Sequence, residues 1–384
     1  MKAIKAIKAI KAIKAMKKNS LGLAFILACL MFFVMSTQAL AAVGEPAVSV
    51  DDAVKATAAK LIKEVPAPVV SSVGGEWAVM ALARLGYTVP QSYYDSYYKT
   101  LVKTLQEKQG NLSSTKYTEY SRIILALTAI GKDVTNVGGY NLLEKLADFN
   151  NVKKQGVNGP VFALLALDSH DYEIPKVAGV KVQTTRQMLI DYILSKEITA
   201  TNGKVGGFSL DGISADADIT GMVIQAFSNY REQPKVEAAV QRALSVLSEL
   251  QKTNGGYGTG GMENPESTAQ VLLALTALGF DPQTDKRFIK DNTVPDGLMA
   301  YYITGGGFRH TETTDLDIMS TEQVFCSLVA YQRFTEGKSS FYDMTDVEIK
   351  KASVIEDVKQ SQNTGKNQLL ELFFKLPQFI QIFI

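Results

Sequence analysis

Two cysteines, two histidines and one tryptophan in 384 residues leave little of the side-chain stock on which thiol and metal chemistry depend. Cys29 falls inside an apolar N-terminal run, so Cys326 is the one thiol of the remaining chain and no internal disulfide can form there. Flanked by Phe325 and Leu328, Cys326 reads as a buried structural thiol. His170 and His310 lack the Cys, His and Asp spacing that holds zinc, so no metal is expected. There is no Gly-x-x-x-x-Gly-Lys loop, no His-Glu-x-x-His and no Gly-x-Ser-x-Gly, which removes the commonest sequence warrants for nucleotide binding, metalloprotease and serine-hydrolase chemistry. Charge of one sign is also missing. Against 40 basic residues stand 39 acidic ones, with no basic patch interleaved with aromatics, so nucleic acid is not an expected partner.

What the N-terminus does hold is a three-part leader. Met1 to Lys18 repeats Lys-Ala-Ile and carries seven Lys without an acid; residues 21–35 are apolar; Ala39-Leu40-Ala41 is a small-x-small cleavage site. This is the plan of a secretory signal peptide over 1–41, and it predicts a secreted or surface-exposed protein. No acid precedes Glu45, so cleavage leaves 33 basic and 39 acidic residues, a net charge near −6. Residues 42–50 read as a linker.

The body of the chain repeats itself. Six segments carry a polar turn followed by small and large apolar residues, and they align on a small residue at 81, 126, 166, 226, 274 and 327. The steps of 45, 40, 60, 48 and 53 residues suit two helices and two connections each. The repeated helices are apolar almost all round, which marks them as buried on all sides. Before each lies a more polar amphipathic segment, at about 51–64, 91–108, 139–149, 182–197, 234–252 and 285–303. The expectation is an all-α fold over 51–345, an (α/α)6 toroid with six inner helices inside six outer ones, without long strands. Linkers such as Gln251-x-x-x-Gly255-x-Tyr257 and Tyr302-x-x-x-Gly306-x-Phe308 read as staples, with glycine turning the chain and the aromatic packing back. The tail, 346–384, ends in an apolar stretch over 369–384 that is too short and too interrupted by Pro377 to span a bilayer. It is either packed on the ring or in weak contact with a membrane surface.

Six such helices with Gln-x-x-x-Gly-x-aromatic linkers resemble the α/α-toroid repeats of terpene cyclases and protein prenyltransferases, and the ring shared by cobalamin carriers and complement thioester domains. Gly75-Glu76-Trp77-Ala78-Val79, Ala126-Leu127-Thr128-Ala129-Ile130-Gly131, Asn158-Gly159-Pro160 and Asp218-Ile219-Thr220-Gly221-Met222 are similar to exported clostridial proteins named for prenyltransferase or squalene-cyclase repeats. The likeness covers roughly residues 71–345 and implies the toroid.

Each chemistry of those relatives can be set against the residues. Class II terpene cyclases protonate an alkene with the middle Asp of Asp-x-Asp-Asp; here Asp216-Ala217-Asp218-Ile219 puts Asp218 at that place, beside Asp216, but Ile219 replaces the next Asp. Asp216 and Asp218 fit equally a helix N-cap and a first-turn carboxylate. Prenyl transfer needs a zinc site that the chain lacks, and the thioester Cys and Gln are absent around Gly74-Gly75-Glu76. What remains is a ring mouth edged by inner-helix N-termini. Glu76, Glu119, Glu266, Asp317 and Glu322, with Asp218, fall there; Trp77, Tyr120, Arg122, Gln225, Gln270 and Gln323 are the other side chains able to read a ligand. The expected function is non-catalytic binding of a small molecule or a cell-surface protein, with no cofactor required and a cobalamin-type corrinoid as a candidate ligand. The alternative is a terpene-cyclase-like or prenyltransferase-like enzyme using Asp218 as acid.

Overall fold

In the computed structural model the described residues are 48–199 and 205–350. The predicted leader, residues 42–47 of the linker and the tail beyond 350 lie outside them.

Twelve α-helices are found among the described residues. The outer ones are α1 (Val50–Glu64), α3 (Gln91–Glu107), α5 (Phe149–Val152), α7 (Arg186–Leu194), α9 (Pro234–Leu250) and α11 (Val294–Met299). The inner ones are α2 (Glu76–Leu85), α4 (Thr118–Ala129), α6 (Asn158–Asp168), α8 (Ala217–Phe227), α10 (Pro265–Ala277) and α12 (Ile318–Thr335). Each inner helix packs on the next, and α12 returns to α2, so the six close a ring. The outer elements pack on the inner helix one step back: α7 on α6, α9 on α8, α11 on α10, and α1 on α12. The first helix of the ring thus lies against the last. The chain is an (α/α)6 toroid.

The inner helices exist because nothing else can surround them. Over α6, every residue from Gly159 to Leu167 is buried, so an amphipathic surface helix is excluded and neighbours are needed on every side. The outer helices are striped instead; in α9, Val236, Ala239, Val240, Ala243, Leu244 and Leu247 are buried, and the exposed face is mostly polar. Pro234 opens α9 in its first turn, where the missing N–H costs nothing.

Two outer elements are shorter than their sequence pattern. The segment expected over 139–149 forms a 3-10 turn at Leu142–Leu146 and then α5, because Asn141 and Asp148 each bond a backbone N–H two residues on and interrupt the helix. The segment expected over 285–303 likewise splits. Asp285 accepts from the Arg287 N–H at 3.0 Å, and α11 restarts behind a capping box of Thr293 and Asp296. A hairpin of β1 (Tyr257–Thr259) and β2 (Met262–Asn264), turning at Gly260-Gly261, adds the one short strand pair among the described residues.

The linker staples form as hydrogen-bonded locks. The amides of Phe208, Tyr257 and Phe308 donate to Thr220, Thr268 and Thr321 Oγ1 at 3.0, 2.9 and 2.9 Å, and all three rings are fully buried. Each Thr lies six residues before the small residue of its repeat. Gln251 Nε2 donates to the Phe288 carbonyl at 2.8 Å, tying its linker to the next outer element. Gly255 sits at φ +87°, with room for no side chain: a Cβ there would lie 1.9 Å from the Thr293 carbonyl oxygen.

At the C-terminal ends of the inner helices a segment running to Lys350 closes the ring. Asp346 bonds both Arg84 and Arg333, at 2.7 and 2.8 Å, and the two guanidiniums are almost fully buried. Arg84 Nη2 also donates to the Ser340 and Asp343 carbonyls. The Met344 amide bonds the Ser169 carbonyl, His170 Nε2 meets the Val347 carbonyl, and the Lys350 amide reaches Gly131. A cavity of about 20 Å³ is left between this plug and α6 and α8, enough for one water. The chain stays packed on the ring as far as Lys350, the last described residue.

Two substitutions test this architecture by urea unfolding. Gly255→Ala should cost about 2 kcal/mol or more, from the strained φ and the backbone clash together. Asp346→Ala should cost about 2 kcal/mol: it removes the counter-ion of two buried guanidiniums, but these keep their carbonyl partners and Asp346 itself is half in water, so the loss stays below that of a fully buried pair.

Candidate functional site

The inner helices are parallel, with all their N-termini on one face. Neighbouring entries touch there: Thr259 Oγ1 donates to Asp218 Oδ2 at 2.7 Å, the Gly74 amide to Glu322 at 2.7 Å, and the Thr118 amide to Gln155 at 2.9 Å. This face is the mouth, and the plug closes the other.

One side chain per repeat turns toward the axis. Four residues before each aligned small residue stand Trp77, Arg122, Phe162, Met222, Gln270 and Gln323. Four residues are about one helical turn, so these six share a face and a level. Five keep partial exposure while their neighbours in sequence are mostly buried, and Phe162 is 8% exposed. The Trp77 and Phe162 rings meet at 5.9 Å although α4 stands between α2 and α6, which places the contact across the bore. One turn higher come Thr118, Asn158, Asp218, Glu266 and Met319.

The bore therefore has two unlike halves. Over α2, α4 and α6 it presents Trp77, Phe162 and Arg122. Over α8, α10 and α12 it opens into a cavity of about 340 Å³, whose polar lining is Asp218, Asn264, Glu266, Gln270, His310 and Gln323. Ile219, Met222 and Met319 complete the wall, and no Lys or Arg is part of it.

Hydrogen bonds hold this lining in place. Glu266 accepts from Ser320 Oγ and engages His310 Nδ1 with both oxygens, at 3.0 and 3.1 Å. Asp317, the N-cap of α12, accepts from the Ser320 amide at 2.7 Å, and its carboxylate, 2.8 Å from Ser320 Oγ, competes with Glu266 for the one hydroxyl proton. His310 is fixed at Nδ1, and its side chain stays 43% exposed. Asp216 is the N-cap of α8, accepting from the Ile219 amide at 2.8 Å. Burial raises its carboxyl to about 6. Asp218 follows in the first turn, with Oδ1 free of any partner.

The other sequence candidates divide by register. Trp77, Arg122, Gln270 and Gln323 face the bore. Tyr120 and Gln225 are turned away from it: Tyr120 is buried and bonds Ser113, and Gln225 Nε2 bonds the Gln270 carbonyl and side chain, tying α8 to α10. Glu76 and Glu322 are buried to within 2% and secure the linker before α2; Glu76 accepts from the Ser71 amide and Tyr97 Oη, at 2.8 and 3.1 Å. Phe162, Met222 and Met319 are the bore residues that residue type alone does not flag; the repeat register would have found them. Among the described residues no group of three or more His, Cys, Asp or Glu is placed to hold a metal ion.

A toroid with a closed floor and a polar, half-aromatic bore is the class of protein that this geometry defines. No family model matches the chain, and no curated protein matches it. Among solved structures it is similar to the unsaturated glucuronyl hydrolase from Bacillus sp. GL1, responsible for the degradation of glycosaminoglycan. The identity is 11%, over 76% of this chain and 98% of that one, with a TM-score of 0.47. At that score the likeness transfers no residue and no activity.

Glu322 makes the mouth sensitive to pH. Burial lifts its carboxyl to about 8, above the ordinary 4.5, with the Gly74 amide and Arg122 opposing and Glu76 and Asp317 assisting. A raised native value means that the folded state binds the proton more tightly, so this contribution to stability is full below about 4.5 and is lost as pH rises through about 8. Urea midpoints should fall between pH 5 and 8.5, and Glu322→Gln should flatten the upper part of that slope.

Proposed function

We propose that the bore binds a small molecule, neutral or cationic and rich in hydrogen-bond donors, in a toroid of the prenyltransferase/squalene-cyclase-repeat kind. The lining of the 340 Å³ cavity supports this: carboxylates and amides, no Lys or Arg, and an aromatic pair across the bore. Asp218 Oδ1 is an unpartnered acceptor in this lining and selects a donor, because an acceptor-rich ligand would leave both sides unsatisfied. Trp77 and Phe162 offer an apolar or cation-attracting face to the same ligand. The volume lies at the small end of ligand sites, which favours a ligand below the size of a corrinoid; a corrinoid would have to rest over the mouth. The predicted leader supports an exported carrier or receptor.

A second reading, an enzyme, draws support from His310. A carboxylate that fixes Nδ1 leaves Nε2 available for proton transfer, the arrangement of a general acid or base. The cyclase version is less favoured. Asp218 uses one oxygen to accept from Thr259, and the residue where a second Asp would polarise it is the buried Ile219.

Calorimetric titration with a neutral polyol, a primary amine and an organic carboxylate tests the reading. The polyol or the amine should bind and the carboxylate should not. Glu266→Gln and Asp218→Asn should each weaken amine binding tenfold or more, by about 1.5 to 3 kcal/mol for a lost charge-assisted bond. Binding of the carboxylate alone would overturn the proposal. Turnover of the polyol that Asp218→Asn spares and His310→Gln abolishes would favour the enzyme with His310 as its base.

A further inference from the structure

The large exposed apolar side chains of the ring domain share one level. Among the described residues between 50 and 350 eight large ones stay exposed, and each lies on the mouth side, at the end of an outer helix, in an entry linker or in the first turn of an inner helix. Six of them form an arc: Leu210 and Ile213 before α8, Met262 before α10, Met319 in α12, and Val69 and Val73 before α2. These four helices are consecutive in the ring, and the acid-lined cavity lies among the first three. Scattered exposed apolar residues need no explanation, but the gathering of six of eight along one arc of the mouth, beside a cavity, does.

The acids of the mouth gather on the arc, where they outnumber the bases Lys196, Lys204, Lys252 and Arg309 of the same linkers. Asp211 lies between Leu210 and Ile213, Glu263 follows Met262, and Glu312, Asp315 and Asp317 precede Met319. The linkers before α4 and α6 carry Lys108, Lys116, Lys153 and Lys154 instead. Lys153 stands over the Phe149 ring and Lys154 over the Tyr117 ring, so these cations are held on their own half. A basic ligand is drawn to the arc and repelled from the opposite rim.

We propose that the mouth docks a basic, apolar peptide segment of another protein, with a Lys or Arg side chain in the acid-lined cavity and its apolar neighbours on the arc. This rests on the reading of the bore as a site for donor groups, and it adds the partner. An anionic peptide is excluded by the cavity, and a purely polar one would leave the arc uncovered.

Fluorescence polarisation with a labelled Gly-Leu-Leu-Lys-Leu-Leu-Gly peptide tests the docking, with a Glu-for-Lys peptide as control and n-butylamine titrated separately. The Lys peptide should bind at least tenfold tighter than n-butylamine, weaken with added salt, and lose tenfold or more on Ile213→Asp or Met262→Asp. The control peptide should not bind, and Lys181→Glu, in the α6–α7 connection on the far face, should change nothing. Ile213 and Met262 are exposed, and the thermal midpoint of each variant checks that the fold survives. If n-butylamine binds but the peptide binds no tighter, or the rim variants leave peptide binding unchanged, the docking arc is overturned and the bore reading stands. Should neither ligand bind, the bore reading itself fails. Self-association that Met262→Asp abolishes, or rim-dependent binding to phosphatidylglycerol vesicles, would assign the arc to a second copy or to a membrane and overturn the peptide.

Discussion

Helices that are apolar on nearly every side impose the whole architecture. One such helix cannot sit at a surface, and a row of them leaves two unburied flanks. Closing the row removes the flanks, and a second layer of striped helices covers the outside. The closure is where the structure concentrates its bonds between distant parts of the chain. α1 lies on α12, Glu322 holds Gly74, and Arg333 donates to the Arg84 carbonyl, each across some 250 residues. Buried charge at a seam is costly to leave unpaired, so these contacts favour one closed arrangement over partly open ones.

The same constraint creates the bore. Six helices around an axis leave a space that their inward side chains fill or line. Toward the floor, apolar residues and the plug of 337–350 seal it. Toward the mouth, helix N-termini supply free N–H groups that favour carboxylates and hydroxyls. The acids at the mouth are thus partly capping groups, as Asp216 and Asp317 show by their bonds to α8 and α12. Glu266 and Asp218 differ, because both line a cavity: Asp218 keeps Oδ1 without a partner, and Glu266 spends its oxygens on Ser320 and His310 rather than on its own helix end. Chemistry at the mouth rests on these two.

Much of the ring was legible beforehand, since burial on all sides shows as a lack of periodicity and partial burial shows as a stripe. Inner helices came through as six like segments, and α1, α3 and α9 as stripes with limits close to those observed. α5 and α11 were harder: Asn141, Asp148 and Asp285 offer the backbone a local alternative to helix that a pattern of apolar residues does not weigh. The candidate site was legible by composition but not by direction. Tyr120 and Gln225 had the right chemistry and the wrong register, while Phe162 and Met222 had the right register and unremarkable chemistry.

The sequence by itself determined that there are six repeats, which helix of each is buried, and where a glycine and an aromatic staple the linkers, because these follow from short-range spacing. Only the tertiary structure decided which side chain of each inner helix meets the axis, that Trp77 reaches Phe162, that His310 is held by Glu266, and that 337–350 forms the floor. Those contacts join residues between 44 and 262 positions apart. Their existence depends on the angle at which six helices close, and no local pattern in the chain encodes that angle.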